Sequence, residues 1–124
     1  MLGDSAAIAT IAVKDVQRAK KFYEGTLGLK PLDSPQPDVV NYKTGKNKIL
    51  VYKSHFAGTN KATAATWELD DVESVVSQLK AKGVNFEHYD FPGMQLKGDV
   101  HVSGGMKAAW FKDPDGNILA LVGG

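Results

Sequence analysis

Two stretches of this chain carry the same pattern, and that repeat limits the folds open to it. Residues 8–29 read IATIAVKDVQRAKKFYEGTLGL and residues 64–84 read AATWELDDVESVVSQLKAKGV. Each runs from a short apolar strand through an Asp-Val pair into a helical pattern, then to glycine and an apolar residue. The pairs Asp15-Val16 and Asp71-Val72 stand 56 residues apart. A period of that length indicates two copies of one supersecondary unit, neither of which can bury its apolar face alone.

The helix starts have a physical basis. Asp15 and Asp71 can accept hydrogen bonds from the free amides of a first helical turn. Behind Asp15, Val16, Ala19, Phe22 and Tyr23 share one face, and Gly28 follows the helix end. Behind Asp71, Val72, Val75, Val76 and Leu79 match the i, i+3, i+4, i+7 template, and Gly83 closes the pattern. Strands are expected at Ile8–Val13, Leu29–Leu32, Ala64–Leu69 and Val84–Tyr89. Val39–Tyr42 and Lys48–Lys53 should form a hairpin about Thr44-Gly45-Lys46-Asn47. A second hairpin should join Lys107–Phe111 to Ile118–Val122 through the turn Asp113-Pro114-Asp115-Gly116. Each half therefore reads β-α-β-β-β. Residues 90–106 read as a long glycine-containing loop, of the kind that covers a site.

Bulk properties exclude several classes. The 124 residues suit one domain, with a first module over about 6–54, a linker over 55–61 and a second module over 62–122. Fifteen basic and fourteen acidic residues leave a formal charge of +1, which gives no electrostatic reason to expect nucleic acid or an anionic membrane as partner. There is no cysteine, hence no disulfide framework or thiolate chemistry. No apolar run reaches the ~20 residues of a membrane span, and the N-terminus lacks the features of a signal peptide. A cytoplasmic location is the expectation.

The runs VKDVQRAKKFYEGTLGL (13–29), WELDDVESVVSQLKAKGV (67–84) and WFKDPDGNILALV (110–122) together resemble the vicinal oxygen chelate group, which includes glyoxalases, bleomycin-resistance proteins and extradiol dioxygenases. The resemblance implies an α+β fold of two βαβββ modules, each curving a sheet around a cavity, and a homodimer. It also implies a divalent metal in the enzymes of the group. Their ligands fall seven residues before each helix-opening Asp and four after the glycine of the DPDGN turn. Those positions are Ile8, Ala64 and Ala120 here, and the remaining one aligns with Leu50. None of the four side chains can donate to a metal. A shift of one residue at Ile8, Ala64 or Ala120 still finds no ligand. His55, His88 and His101 lie away from these positions, so no metal and no cofactor is expected.

Strand alternation sorts the remaining candidates by face. With the four family positions turned into the cavity, Thr10, Leu50, Tyr52, Thr66, Glu68 and Trp110 would line it for ligand binding, while Ile11, Val13, Trp67 and Phe111 would turn to the helices. Tyr42, Phe56, His88, Tyr89 and Asp90 are possible rim residues. Tyr52 and Trp110 would be aromatic walls, suited to a small organic ligand. Glu68 is the one candidate catalytic group. Buried among apolar neighbours it could serve as a base, whereas exposed at a strand end it would have no such role. The leading expectation is a metal-free small-molecule binder, for example one that sequesters a toxic compound or antibiotic. The alternative is a glyoxalase-like lyase, isomerase or dioxygenase using a non-standard metal or acid–base site. Bleomycin-binding relatives meet a cationic drug with acidic surfaces, a feature that this nearly neutral chain lacks.

Overall fold

The computed structural model describes residues 1–32 and 36–124. After a 3-10 turn at Leu2–Asp4, the first half runs β1 (Ala9–Val13), α1 (Val16–Lys20), β2 (Lys30–Pro31), β3 (Val39–Thr44) and β4 (Asn47–Lys53). The second half runs β5 (Thr63–Leu69), α2 (Val72–Ala81), β6 (Phe86–Glu87), β7 (Gln95–Lys97), β8 (Val100–Ser103), β9 (Met106–Lys112) and β10 (Ile118–Gly123). One sheet has the order β1-β4-β3-β2. The other has β5-β10-β9-β8-β7, with β6 also paired to β9. β1 lies parallel to β4 and β5 parallel to β10, and the other pairs are antiparallel. The fold is therefore the mixed α+β arrangement expected, and the repeat survives as matching sheet orders. No helix among the described residues is long and apolar enough to cross a membrane.

Both helix caps form. The Asp15 carboxylate accepts from the amides of Gln17 and Arg18, and that of Asp71 accepts from Ser74. Beyond Lys20 the first helix widens into a π-helical turn over Lys21–Thr26, closed by a 2.9 Å bond from the Leu27 amide to the Phe22 carbonyl. Val16, Ala19 and Tyr23 are buried along its inner face, as are Val72, Val76 and Leu79 on α2. The β3–β4 hairpin closes through two residues, Gly45 and Lys46, since Thr44 pairs with Asn47. Gly45 takes φ +56°, a region open to glycine at the first central position of such turns.

The alternation read from the sequence is the one observed. Ile11, Val13, Ile49, Val51, Ala109, Phe111, Leu119 and Leu121 enter the core beneath the helices, with Trp67 and Leu69 half-buried against it. Their strand neighbours, including Thr10, Leu50, Thr66, Trp110 and Ala120, point to the opposite face.

The two halves are joined at the DPDGN turn. The Asp113 carboxylate is buried. It accepts from the Tyr23 hydroxyl at 2.7 Å, from the Asn117 side-chain amide and from the backbone amides of Asp115 and Asn117. Asn117 also donates to the Ala12 carbonyl at 2.8 Å, and Arg18 reaches the Asp115 carboxylate at 2.6 Å. Gly58 packs so closely on this turn that a Cβ there would sit 2.0 Å from the Asp115 carbonyl oxygen. A segment that sequence alone marks as a turn is thus also a joint between β10's hairpin and the first helix.

One expectation needs correction. Residues 90–106 are not a long loop. β7 and β8 form a short hairpin there, with Lys97 paired to Val100. The strand beside β9 is split: Phe86 and Glu87 pair with Phe111 and Trp110, the chain departs to form β7, and His101 resumes the row opposite Ala108, between β9 and β7. Val100 and Val102 are spaced as a strand, but four residues make too short a run for that alternation to stand out between glycines.

Candidate functional site

The split strand places aromatic side chains over the open face of the second sheet. Register puts Trp110 opposite Glu87 on one side and Ala120 on the other. His101, opposite Ala108 two residues along β9, is 1% exposed. The segment leaving β6 then lays Tyr89 and Phe91 against them. Ring centroids lie 4.9 Å apart for His101–Trp110, 5.3 Å for Phe91–Trp110, 5.5 Å for Tyr89–Trp110 and 5.7 Å for Tyr89–Phe91, all tilted or edge-to-face. Such pairs contribute roughly 0.5–1.5 kcal/mol each beyond area burial, enough to hold a segment that has no strand partner of its own.

His101 anchors that segment by a hydrogen bond as well. Its Nε2 accepts from the Tyr89 backbone amide at 2.9 Å, which requires a neutral ring with the proton on Nδ1. Nδ1 is buried without a hydrogen-bond partner among the described residues. The hairpin is tied down at its turn by Asp99, whose carboxylate meets Lys80 of α2 at 2.6 Å and His88 at 2.7 Å. Hydrogen bonds from Lys80 and His88 hold the Asp99 carboxyl below its ordinary value.

Beside the cluster lies an open cleft of about 430 Å³ lined by Lys61, Ala62, Thr63, Tyr89, Phe91, Trp110 and Ile118. The Trp110 indole N–H donates to the Thr63 hydroxyl at 3.3 Å, fixing the ring at the cleft wall. A second cleft, of about 450 Å³, lies at the ends of β1 and β4 and is lined by Lys14, Asp38, Lys53, Ser54 and His55. Among the described residues its only ring is the His55 imidazole and its only aliphatic surface is lysine stems, so it offers a flat organic molecule little apolar surface.

The residues singled out from sequence fall into two groups. Thr10 pairs with Leu50 across β1 and β4, and Tyr52 follows two residues along. Thr66, Ala120 and Trp110 form a row across β5, β10 and β9, with Glu68 next to Val122. Of these, only Trp110 lines the aromatic cleft. Thr10 is exposed and its hydroxyl turns back to the Ile8 carbonyl. Leu50 and Tyr52 are half-buried, and Thr66 is exposed. Glu68 is exposed at the end of β5, beside an open surface shared with Asp70 and Met106, so the burial that would make it a base is missing.

Among the rim candidates, Tyr89 joins the cleft and Tyr42 does not. Tyr42 is in the core, stacked on Tyr23 and donating to Glu24 at 2.8 Å. Phe91, Thr63 and Lys61 were not legible as site residues, and His101 reads from sequence only as part of a loop. The density of ring side chains over Phe86, His88, Tyr89 and Phe91 was the available signal.

A model of the Glyoxalase/Bleomycin resistance protein/Dioxygenase superfamily matches residues 6–121. The chain belongs to this superfamily. No curated protein matches the sequence. Solved structures share the fold. A glyoxalase family protein from Enterococcus faecalis superposes with TM-score 0.72 at 22% identity, over 98% of this chain and 99% of that one. The fosfomycin resistance protein FosX from Listeria monocytogenes gives 0.71 at 15% identity, over 97% and 93%. TnmS3, an antibiotic binding protein from Streptomyces sp. CB03234, gives 0.64 at 21% identity, over 96% of each chain.

The superfamily's enzymes imply a divalent metal, and the residues here do not fit one. Ile8 precedes β1, Leu50 lies within β4, Ala64 within β5 and Ala120 within β10. None carries a donor atom. Among the described residues, no three His, Asp or Glu side chains gather to replace them.

Proposed function

We propose that this protein is a small-molecule binder that holds a flat, partly apolar organic ligand without metal chelation, sequestering it in the manner of an antibiotic- or toxin-binding protein. The observation that carries this reading is the aromatic wall of Trp110, Tyr89 and Phe91 bordering a cleft large enough for one or two rings. Apolar residues at the four family ligand positions support binding over metal-dependent chemistry. The family also contains antibiotic binders of matching fold. Phe91 is exposed at the cleft, and Leu96 and Met106 are exposed elsewhere on the second half. A second copy of the chain covering these side chains would bury them, so we include a homodimer, working in the cytoplasm, in the proposal.

Native mass spectrometry of untagged protein, purified without added metal or chelator, tests this directly. The expected species is a dimer free of divalent ions, carrying a co-purified organic mass or able to take one up. One retained divalent ion per chain would overturn the metal-free reading.

A further inference from the structure

The cleft bordered by Trp110 has a one-sided charge. Of its lining residues, Lys61 alone is ionised at neutral pH. Lys61 closes the segment leading into β5 and makes no ion pair or hydrogen bond among the described residues. Three other lysines of this half are engaged, Lys80 with Asp99, Lys107 with Glu73 and Lys112 with Glu87.

The polar groups of the cleft point the same way. The indole N–H of Trp110 is held by the Thr63 hydroxyl oxygen, which leaves the hydroxyl proton of Thr63 free to donate. The Lys61 ammonium has three donors and no acceptor. Neighbouring carboxylates do not offset this. Glu87, opposite Trp110 in the ladder, faces Lys112 at 3.4 Å, and Asp90 follows Tyr89 in the chain without lining the cleft. The rings give apolar contact, the Thr63 and Tyr89 hydroxyls can both donate, and the one charged lining group, Lys61, is positive. A cation would meet Lys61 with no carboxylate in the lining to compensate it.

We infer that the ligand is an aromatic carboxylate, with its ring against Trp110 and Phe91 and its carboxylate on the Lys61 ammonium and the Thr63 hydroxyl. This rests on the aromatic-cleft reading above and adds the charge of the ligand to it. Lys61 contributes by charge and the rings by contact, so removing the lysine should lower affinity most for the anion.

Three probes with one ring system separate the two claims: 2-naphthoate, neutral 2-naphthamide and cationic (2-naphthyl)methylammonium. Each is titrated into the full chain while the indole N–H resonances of Trp67 and Trp110 are followed by NMR. The expected result is a shift of the Trp110 resonance by naphthoate, with affinity about fivefold above the amide and higher still above the cation. Lys61→Met should remove the preference for naphthoate over the amide, with a larger loss for naphthoate than for the amide. Lys61 is exposed, so this variant should fold as the parent does. If the amide and naphthoate bind at Trp110 equally, or Lys61→Met leaves the preference intact, the carboxylate assignment falls and the cleft stands. If no probe moves the Trp110 resonance, or naphthoate perturbs only the Lys14, Lys53 and His55 region, the cleft reading itself falls.

Discussion

The two halves of this molecule share a sheet order and differ in one strand. In the first, β2 is a two-residue edge against β3, and the open face presents Thr10, Leu50 and Tyr52 with no ring cluster among the described residues. In the second, the strand beside β9 breaks after Glu87, and the excursion to His101 brings Tyr89 and Phe91 over Trp110. A duplicated scaffold thus supplies the same sheet twice, and a break in the strand beside β9 gives one copy the proposed binding surface. Among the described residues β6 pairs with β9 alone, so ending it after Glu87 costs only one neighbour's hydrogen bonds.

The comparison can be broken most forcefully at the joint between the halves. Asp113→Ala leaves the buried Tyr23 hydroxyl and Asn117 amide without their acceptor, and should cost about 3 kcal/mol in urea denaturation. A loss under ~0.5 kcal/mol would show that the turn does not hold the halves together.

Alkali should act next, and mainly on the first half. Burial pushes the hydroxyls of Tyr23 and Tyr42 well above their ordinary value, with further push from Asp113 and Glu24 respectively. A raised folded value means that this contribution is complete below the unfolded value, about pH 10, and is lost as pH rises beyond it. Stability should therefore fall above pH 10, by up to about 1.4 kcal/mol per pH unit for each tyrosine. Tyr42→Phe should roughly halve that slope. An unchanged slope would assign the alkaline loss elsewhere.

Binding sharpens the contrast between the open faces. Trp110→Ala should weaken 2-naphthoate by about tenfold, on the scale of one lost aromatic contact, while Tyr52→Ala should change it less than twofold. Calorimetric titration showing the reverse order would move the site to the first sheet.

The smallest effect belongs to the tether of the inserted hairpin. Asp99→Asn removes its charge pairing with Lys80 and weakens its hydrogen bond with His88, a half-exposed network worth less than about 1 kcal/mol. Amide exchange at Gln95–Lys97 should quicken by about threefold, with global stability nearly unchanged. Because Asp99 is held below its ordinary value, the tether is complete above about pH 4 and is lost as pH falls through the folded value. Exchange at these amides that ignores Asp99→Asn would show that the rings alone hold the hairpin.

By itself the sequence determined the repeat, both helix caps and the faces of the strands. These are local or periodic properties: a capping Asp acts within its own turn, and alternation follows from the pleat. It also marked Trp110 as facing away from the helices. Only the tertiary structure decided that Tyr42 belongs to the core and Glu68 to the surface. It alone brought Tyr89, Phe91, His101, Thr63 and Lys61 around Trp110. Those contacts depend on where a strand breaks and where it resumes. That is set by pairing between segments distant in the chain, and no local pattern records it.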